Sequence, residues 1–513
     1  MTMGSIYFEG CSNMDSAEHG CNGEPECQSS LARTALNLPR NIANITSILL
    51  LLVFGITWGI SIDRYPLFYV DDAFFNFPAI RAAHGEQFRY QVSRDAPYAN
   101  EVWAYHGPLY PNLQTVTFKL FGVNQAASRL PGFVAGWLAV LFLTSFLIRR
   151  GYHFAPLIFT VLWIGDRATQ ELMYGRMDGL AFLCLAGAFI FTEKAWKSSS
   201  RKFAFLAGVL LGLACAFHPF TFAFGIAVSI LIVARLRLSG LGSVVYGACL
   251  AVPIVLWCWH FDIRHALTQF FWCSHLQRSD SIHQALSTLI TTLKWSRYWF
   301  LALLIFTILY LLPRAWQEIL RMRAGIANDR QLHIIMVALF ALAGLSCIFR
   351  TTVHPYYLIY FTAWPILGIA MLIEIHNKRA LPFLALGILI WSSSCLWNLM
   401  RFRETILYHS QLSHKYILQV IQREVPPGVT IVTTPEIYIL PAEAGYKLEV
   451  TPWFPEQSTV CRECYLLIKK KEYEHPIYVT SDEISSRQVL YSGPAFPHAG
   501  PLEYPVVILS PAN

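Results

Sequence analysis

Two adjacent carboxylates, Asp71 and Asp72, lie in the stretch Tyr69-Val-Asp-Asp-Ala-Phe-Phe-Asn-Phe-Pro-Ala-Ile80, which is otherwise mostly apolar and aromatic. Side by side at a membrane surface, they repel each other and lose hydration. Both effects raise a carboxyl pKa and favour a proton acceptor working near neutral pH. The plainer alternative is an interfacial helix whose acids face water. A second group runs from Asp166-Arg167 through Glu171 to Arg176-Met-Asp178-Gly179. Acids at membrane depth are expensive and face a cavity or a partner. Arg167 and Arg176 are at hand as partners, so a structural ion pair is the alternative to a site. Two histidines share a pattern, His218-Pro-Phe and His354-Pro-Tyr-Tyr357. Each reads as a polar helix start with proline in the first turn, and for His218 that reading is preferred. For His354, nearby Arg350 and the Tyr356-Tyr357 pair point instead to contact with phosphate or sugar.

The elements that must position these residues are membrane spans. Of 513 residues, 55% are hydrophobic and 14% charged, against about 25% charged in soluble domains. Apolar runs long enough to be spans fall near 42–62, 129–148, 152–167, 178–193, 203–217, 219–234, 241–259, 298–313, 331–349, 355–374 and 380–399, about eleven in all. The first 41 residues are polar, and the run that follows reads as a span rather than a cleaved leader. Basic residues set the orientation. Arg149-Arg150, Lys194 to Lys202, Arg235 and Arg237, Arg314 to Arg330, and Lys378-Arg379 all fall in alternate loops. That predicts a cytoplasmic N-terminal tail (1–41), a transmembrane module (42–400) and an extracytoplasmic C-terminus. The outside loops are 63–128 and 260–297, and the outer ends of the first, third and fourth spans all carry acids.

From 401 to 513 the long apolar runs stop. A helix near 411–424, a Val-Pro-Pro-Gly turn and strands at 429–433, 464–468 and 506–509 predict a small α/β domain. The fold class is thus a polytopic α-helical membrane protein with that domain appended. The net charge of +7 reads as loop charge, and no nucleic-acid partner is expected. Cys461-Arg-Glu-Cys464 cannot close a four-ligand zinc site alone. A local disulfide is preferred to free thiols.

The acidic pair after the first span is followed by Tyr105-His-Gly-Pro-Leu-Tyr110 and by Leu120-Phe-Gly-Val-Asn-Gln-Ala-Ala-Ser-Arg-Leu-Pro131. In that order and placement they resemble the GT-C membrane glycosyltransferases, and within them the protein O-mannosyltransferase and lipid A aminoarabinose transferase group (family 39/83-like). Arg176-x-Asp178 and His354-Pro-Tyr-Tyr fit too, and the resemblance covers about 42–400. It implies transfer of a sugar from a polyprenyl-phosphate donor to a hydroxyl, amine or phosphate group of a lipid, glycan or protein acceptor, at the outer face of what would be a bacterial inner membrane. Asp71 matches the first acid of the loop-one pair, the base that activates the acceptor; Asp178 matches the second acid. Asp72 and Asp166 are supporting acids. His106, Arg176, Arg350, His354 and Tyr357 are candidates to hold the donor phosphate or sugar. Relatives of the aminoarabinose type often have a lysine before Pro-Leu; here His106-Gly107 stands there, with a charge that depends on pH. A divalent ion, Mg or Mn, between Asp71 and Asp178 is left open.

A phosphate leaving group departs as a stabilised anion, so one base and a cationic clamp suffice, and a single in-line attack inverts the anomeric carbon. The competing readings are a transporter or flippase, which would place charge near the bilayer midplane, and a non-catalytic assembly protein of envelope polysaccharide.

Overall fold

The computed structural model describes residues 24–64, 70–90, 101–102, 109–276, 282–323, 328–346, 357–375, 381–451, 461–476 and 479–512. It is a helical bundle with a small mixed-sheet domain at one end. Among the described residues, each predicted apolar run falls mainly on helix. The chain starts with α1 (Glu24–Ile60), α2 (Val70–Ala83), α3 (Leu109–Phe121), α4 (Gln125–Arg149), α5 (Ala155–Gly165), α6 (Ala168–Glu171), α7 (Asp178–Ser198) and α8 (Arg201–Phe217). It continues with α9 (Phe222–Cys249), α10 (Ala251–Cys258), α11 (Ile263–Leu276), α12 (Ile282–Trp295), α13 (Trp299–Phe306), α14 (Leu312–Arg323), α15 (Asp329–Ser346), α16 (Leu358–Ile375) and α17 (Leu381–Leu407). Seven stretches among the described residues are both long and apolar enough to cross a bilayer. One of them, Pro219–Cys258, contains two of the predicted runs. It breaks at Arg237, where φ is 59° and ψ −159°, inside the basic loop expected between those runs.

Helix α1 begins at Glu24, well before its apolar part, and α17 continues to Leu407. The composition change near 400 therefore falls inside a helix. The first outside loop folds into α2, α3 and a two-stranded ribbon, β1 (Arg89–Tyr90) against β2 (Glu101–Val102). The second contains α11 and α12.

Basic residues of the predicted inside loops meet at one end of the bundle. The buried carboxylate of Glu193 contacts Arg150, Lys197 Nζ at 2.9 Å and His333 Nε2 at 3.3 Å. Lys197 also reaches Asp329 at 2.7 Å. Glu374 accepts the first free backbone N–H groups at the start of α5, from His153, Phe154 and Ala155, at 2.7–3.0 Å, where a helix N-terminus favours negative charge. Asp178 and Glu193 lie near opposite ends of α7, about 22 Å apart at 1.5 Å per residue.

The sheet domain sits at the Asp178 end. After α18 (Lys415–Glu424) come β3 (Thr430–Thr433), β4 (Lys447–Val450), β5 (Tyr465–Lys469), β6 (Arg487–Pro494) and β7 (Pro505–Ala512), ordered β4-β3-β5-β7-β6. β3 pairs in parallel with β4 and β5, while β7 is antiparallel to β5 and β6. In the central strands alternate residues enter two cores: Ile431, Leu467, Val506 and Ile508 on one face, Val432, Leu466, Ile468, Val507 and Leu509 on the other. Burial on both faces explains their unbroken apolar runs. β4 and β6 lie at the edges with mixed composition, and sequence reading had not assigned them. Cys461 and Cys464 form a disulfide.

The core on the first face continues through α18 into Phe77, Ala79 and Ile80 of α2, Phe118 of α3 and Ala127 of α4. α2 therefore lies between the bundle and the domain.

Candidate active site

Asp178 opens α7 and is 1% exposed. Its Oδ2 accepts from Arg176 Nε at 2.8 Å, so the segment before α7 turns back on itself and buries a paired charge. The pairing that was the alternative for these residues is thus present, and Arg176 is 3% exposed. The close turn has a steric condition. A Cβ at Gly179 would run into the carbonyl oxygen of Gly132 on α4, and a Cβ at Gly132 would come within 2.6 Å of the Arg176 carbonyl oxygen. Only two glycines let α4 pack this tightly against the Arg176–Gly179 segment.

The other oxygen, Oδ1, faces His218 Nε2 at 3.9 Å. His218 caps the end of α8, and its Nδ1 accepts the backbone N–H of Phe220 at 3.1 Å. An accepting Nδ1 places the single proton on Nε2, so a neutral imidazole directs N–H toward the carboxylate side. Around it lie Tyr357, edge-on at 5.5 Å, and Tyr360 at 5.7 Å; Phe220 stacks on Tyr357 at 4.9 Å. His218, from one of the two histidine-proline motifs flagged in the sequence, thus meets Tyr357, from the other. His218 had been set aside as a helix start. What marked it was the motif shared with His354-Pro-Tyr-Tyr.

Helix α2 docks on the same segment. Asn76, fully buried, donates from Nδ2 to the Gly175 carbonyl at 3.1 Å. The Phe75 ring lies 5.5 Å from the Arg176 guanidinium and packs edge-on against Tyr110 of α3 at 6.2 Å. Tyr110 Oη donates to the Ser128 carbonyl at 3.2 Å, and Gln114 Nε2 to the Ala127 carbonyl at 3.0 Å, which fixes α3 to α4. Asp71 and Asp72 fall in the first turn of α2, one turn before Phe75 and Asn76; their side chains lie outside the described residues. His106, Arg350 and His354 also lie outside them.

Asp166 is placed differently. Its Oδ1 accepts the Ala168 N–H at 2.7 Å and its Oδ2 accepts from Trp299 Nε1 at 3.2 Å. Arg167 lies over Trp295 at 4.0 Å and Trp397 at 5.1 Å. Asn398 of α17 donates to the Gly165 and Asp166 carbonyls at 3.2 and 3.0 Å. These contacts hold the break between α5 and α6 together. Arg176, Asp178, His218 and Tyr357 instead form one buried polar cluster beside α2.

A dication at Asp178 would have to share a carboxylate whose charge Arg176 already balances. Among the described residues no three His, Cys, Asp or Glu side chains gather as a metal site would require.

The fold is a GT-C membrane fold, in agreement with the resemblance. The crystal structure of ArnT from Cupriavidus metallidurans bound to undecaprenyl phosphate superposes with a TM-score of 0.55 at 14% identity, over 90% of this chain and 97% of that one. The apo state of the same protein gives a TM-score of 0.53. The archaeal oligosaccharyltransferase AglB from Archaeoglobus fulgidus, in complex with an inhibitory peptide and a dolichol-phosphate, gives 0.48 at 12% identity, over 84% of this chain and 71% of that one. No protein-family model and no curated protein matches the sequence.

Proposed function

We propose that the protein is a membrane glycosyltransferase that moves a sugar from a polyprenyl-phosphate carrier to an acceptor hydroxyl on the extracytoplasmic face, with inversion. The observation that carries the proposal is the docking of α2, which bears Asp71 and Asp72, onto the Arg176–Asp178 segment through Asn76 and Phe75. Two acid-bearing segments distant in sequence are thereby joined at one end of a GT-C fold. Among the described residues the buried charges of the bundle lie near the ends of the apolar stretches, as at Arg176, Asp178 and Glu193, and not midway along them, which favours a transferase over a transporter.

In this reaction Asp71 takes the acceptor proton while the acceptor oxygen attacks the anomeric carbon. The bond from that carbon to the phosphate oxygen breaks, and polyprenyl phosphate leaves as an anion. Cationic residues stabilise the departing charge, with Arg176, His106, Arg350 and His354 as candidates and Tyr357 as a sugar or phosphate contact. Asp178 holds the Arg176 guanidinium in place, and Asp72 and Asp166 act through position. An apolar groove of about 1180 Å³ between α8, α9 and α10 runs up to Cys215 and Pro219, beside His218; it has the character needed for a prenyl chain, such as the one ArnT binds.

Purified protein given undecaprenyl-phosphate-linked sugars should release undecaprenyl phosphate. Asp71→Asn keeps size and removes the base, so transfer should fall on the order of 10²–10⁴-fold with donor binding retained. Transfer by Asp71→Asn at the parent rate would move the base elsewhere, with Asp178 next in line.

A further inference from the structure

A polar hollow of about 570 Å³ lies where the C-terminal domain meets the bundle, within the size range of small-ligand sites. It is distinct from the Asp178 cluster and from the prenyl-sized groove. One wall is α18 with the residues just before it; the other is the end of α1 and the turn into α4. Three amide side chains are available on its walls: Gln125 on the bundle side, Gln419 and Gln422 on the domain side. Asn124 also lines it, but its amide caps α4, with Oδ1 accepting from the Ala127 N–H at 2.9 Å and Nδ2 donating to the Phe121 carbonyl at 2.9 Å. Gln125 is 4% exposed; with its amide turned so that the oxygen meets the donors of the Arg129 guanidinium, at 2.9 Å from Nε, the NH₂ group is the donor on that wall.

Apart from Lys415, the charges of the hollow are already matched. Arg64 donates from Nε to Asp63 at 3.0 Å and from Nη1 contacts His409 Nδ1 at 2.7 Å. Glu443 holds His414 Nδ1 at 2.7 Å, and the His414 ring stacks on Phe496 at 5.8 Å. Lys415 stands at the exposed rim. A charged ligand would find little uncompensated charge inside. Amides present a donor and an acceptor together, which suits neighbouring hydroxyl groups. The walls are tied to the rest of the site: Arg129 Nη1 donates to the Ile62 carbonyl at 3.1 Å, and the chain from Asp63-Arg64 leads directly into the segment before α2.

We propose that this hollow binds neutral carbohydrate, the hydroxyl-bearing face of a short glycan, and so holds the acceptor. That it serves the acceptor rests on the glycosyltransferase reading; that it binds carbohydrate does not.

The test uses labelled full-length protein in lipid nanodiscs on an array of neutral oligosaccharides, acidic oligosaccharides and peptides, followed by titration of the strongest binder. Neutral oligosaccharides should be retained. Gln419→Ala with Gln422→Ala removes two hydrogen-bonding groups from exposed helix positions, where substitution leaves stability nearly unchanged. Affinity should weaken about tenfold, while Asp71→Asn should bind as the parent does. Retention of peptides or acidic glycans alone, no retention at all, or equal affinity in the double variant would each overturn the proposal. If neutral glycan binds and the double variant weakens it, yet no polyprenyl-linked donor is ever consumed, the transferase reading fails and the carbohydrate site stands.

Discussion

At the scale of residues, the Arg176–Asp178 pair is the feature with the sharpest consequence. Both side chains are almost fully buried, and removing one partner leaves an uncompensated charge at a cost of about 3–5 kcal/mol. Asp178→Asn should therefore lower the melting temperature in detergent as well as activity. Stability alone does not define a role, so the pair must be replaced together. Arg176→Met with Asp178→Leu should recover most of the stability, because well-packed apolar residues often replace buried ion pairs without loss. It should not recover transfer. Parent-level transfer by that double variant would reduce the pair to a structural tie.

At the scale of elements, two contacts set where α2 and α7 lie. Gly179→Ala would drive a methyl group into the Gly132 carbonyl, and neither backbone can give way cheaply. The expected result is loss of several kcal/mol, in the range of strained or overpacked sites, read as a fall in thermal stability and in monodisperse yield. A variant as stable as the parent would mean that α4 and α7 are less closely packed there. α2 also depends on the C-terminal domain, since Phe77 and Ile80 enter the same core as Ile437 and Leu440. Phe77→Ala removes a large buried ring, which costs about 3–5 kcal/mol in such settings, and the loss falls on the face away from Arg176. Turnover should drop with the donor KM little changed, because the helix carrying the proposed base loses its backing while the proposed donor groove on α8–α10 is untouched. An equal rise in KM and unchanged turnover would separate α2 from the chemistry.

At the scale of the molecule, the basic loops and the sheet domain sit at opposite ends of the bundle. Lys197, Arg150 and Arg330 are at one end, and β3–β7 at the other. With basic loops inside, a cysteine introduced at exposed Ser198 should be labelled only after the membrane is permeabilised. One at exposed Asp482 should react with an impermeant reagent in intact cells. Reversed labelling would put the proposed site on the cytoplasmic face and exclude the reaction as written.

What the sequence determined by itself was whatever depends on local composition and period. Apolar runs of bilayer length, alternate basic loops and the doubly buried strands β3, β5 and β7 report burial directly, so each was legible without partners. The Cys461–Cys464 pairing was legible for the same reason: the two thiols are close along the chain. The edge strands β4 and β6 were not, because their composition is mixed and only neighbours in the sheet make them strands. The acids were visible but their relationships were not. Asp178 could be an ion-paired residue or a site residue on sequence grounds; folding pairs it with Arg176, sets His218 beside it, and brings α2 against both. His218 and Tyr357 are 139 positions apart and meet only because the end of α8 is packed beside the start of α16. Asp166 looked like Asp178 in the sequence, an acid next to an arginine at a span end. The tertiary structure alone separates them, because one carboxylate is engaged by a backbone N–H and an indole while the other lies in a polar cluster that only packing between distant helices can build.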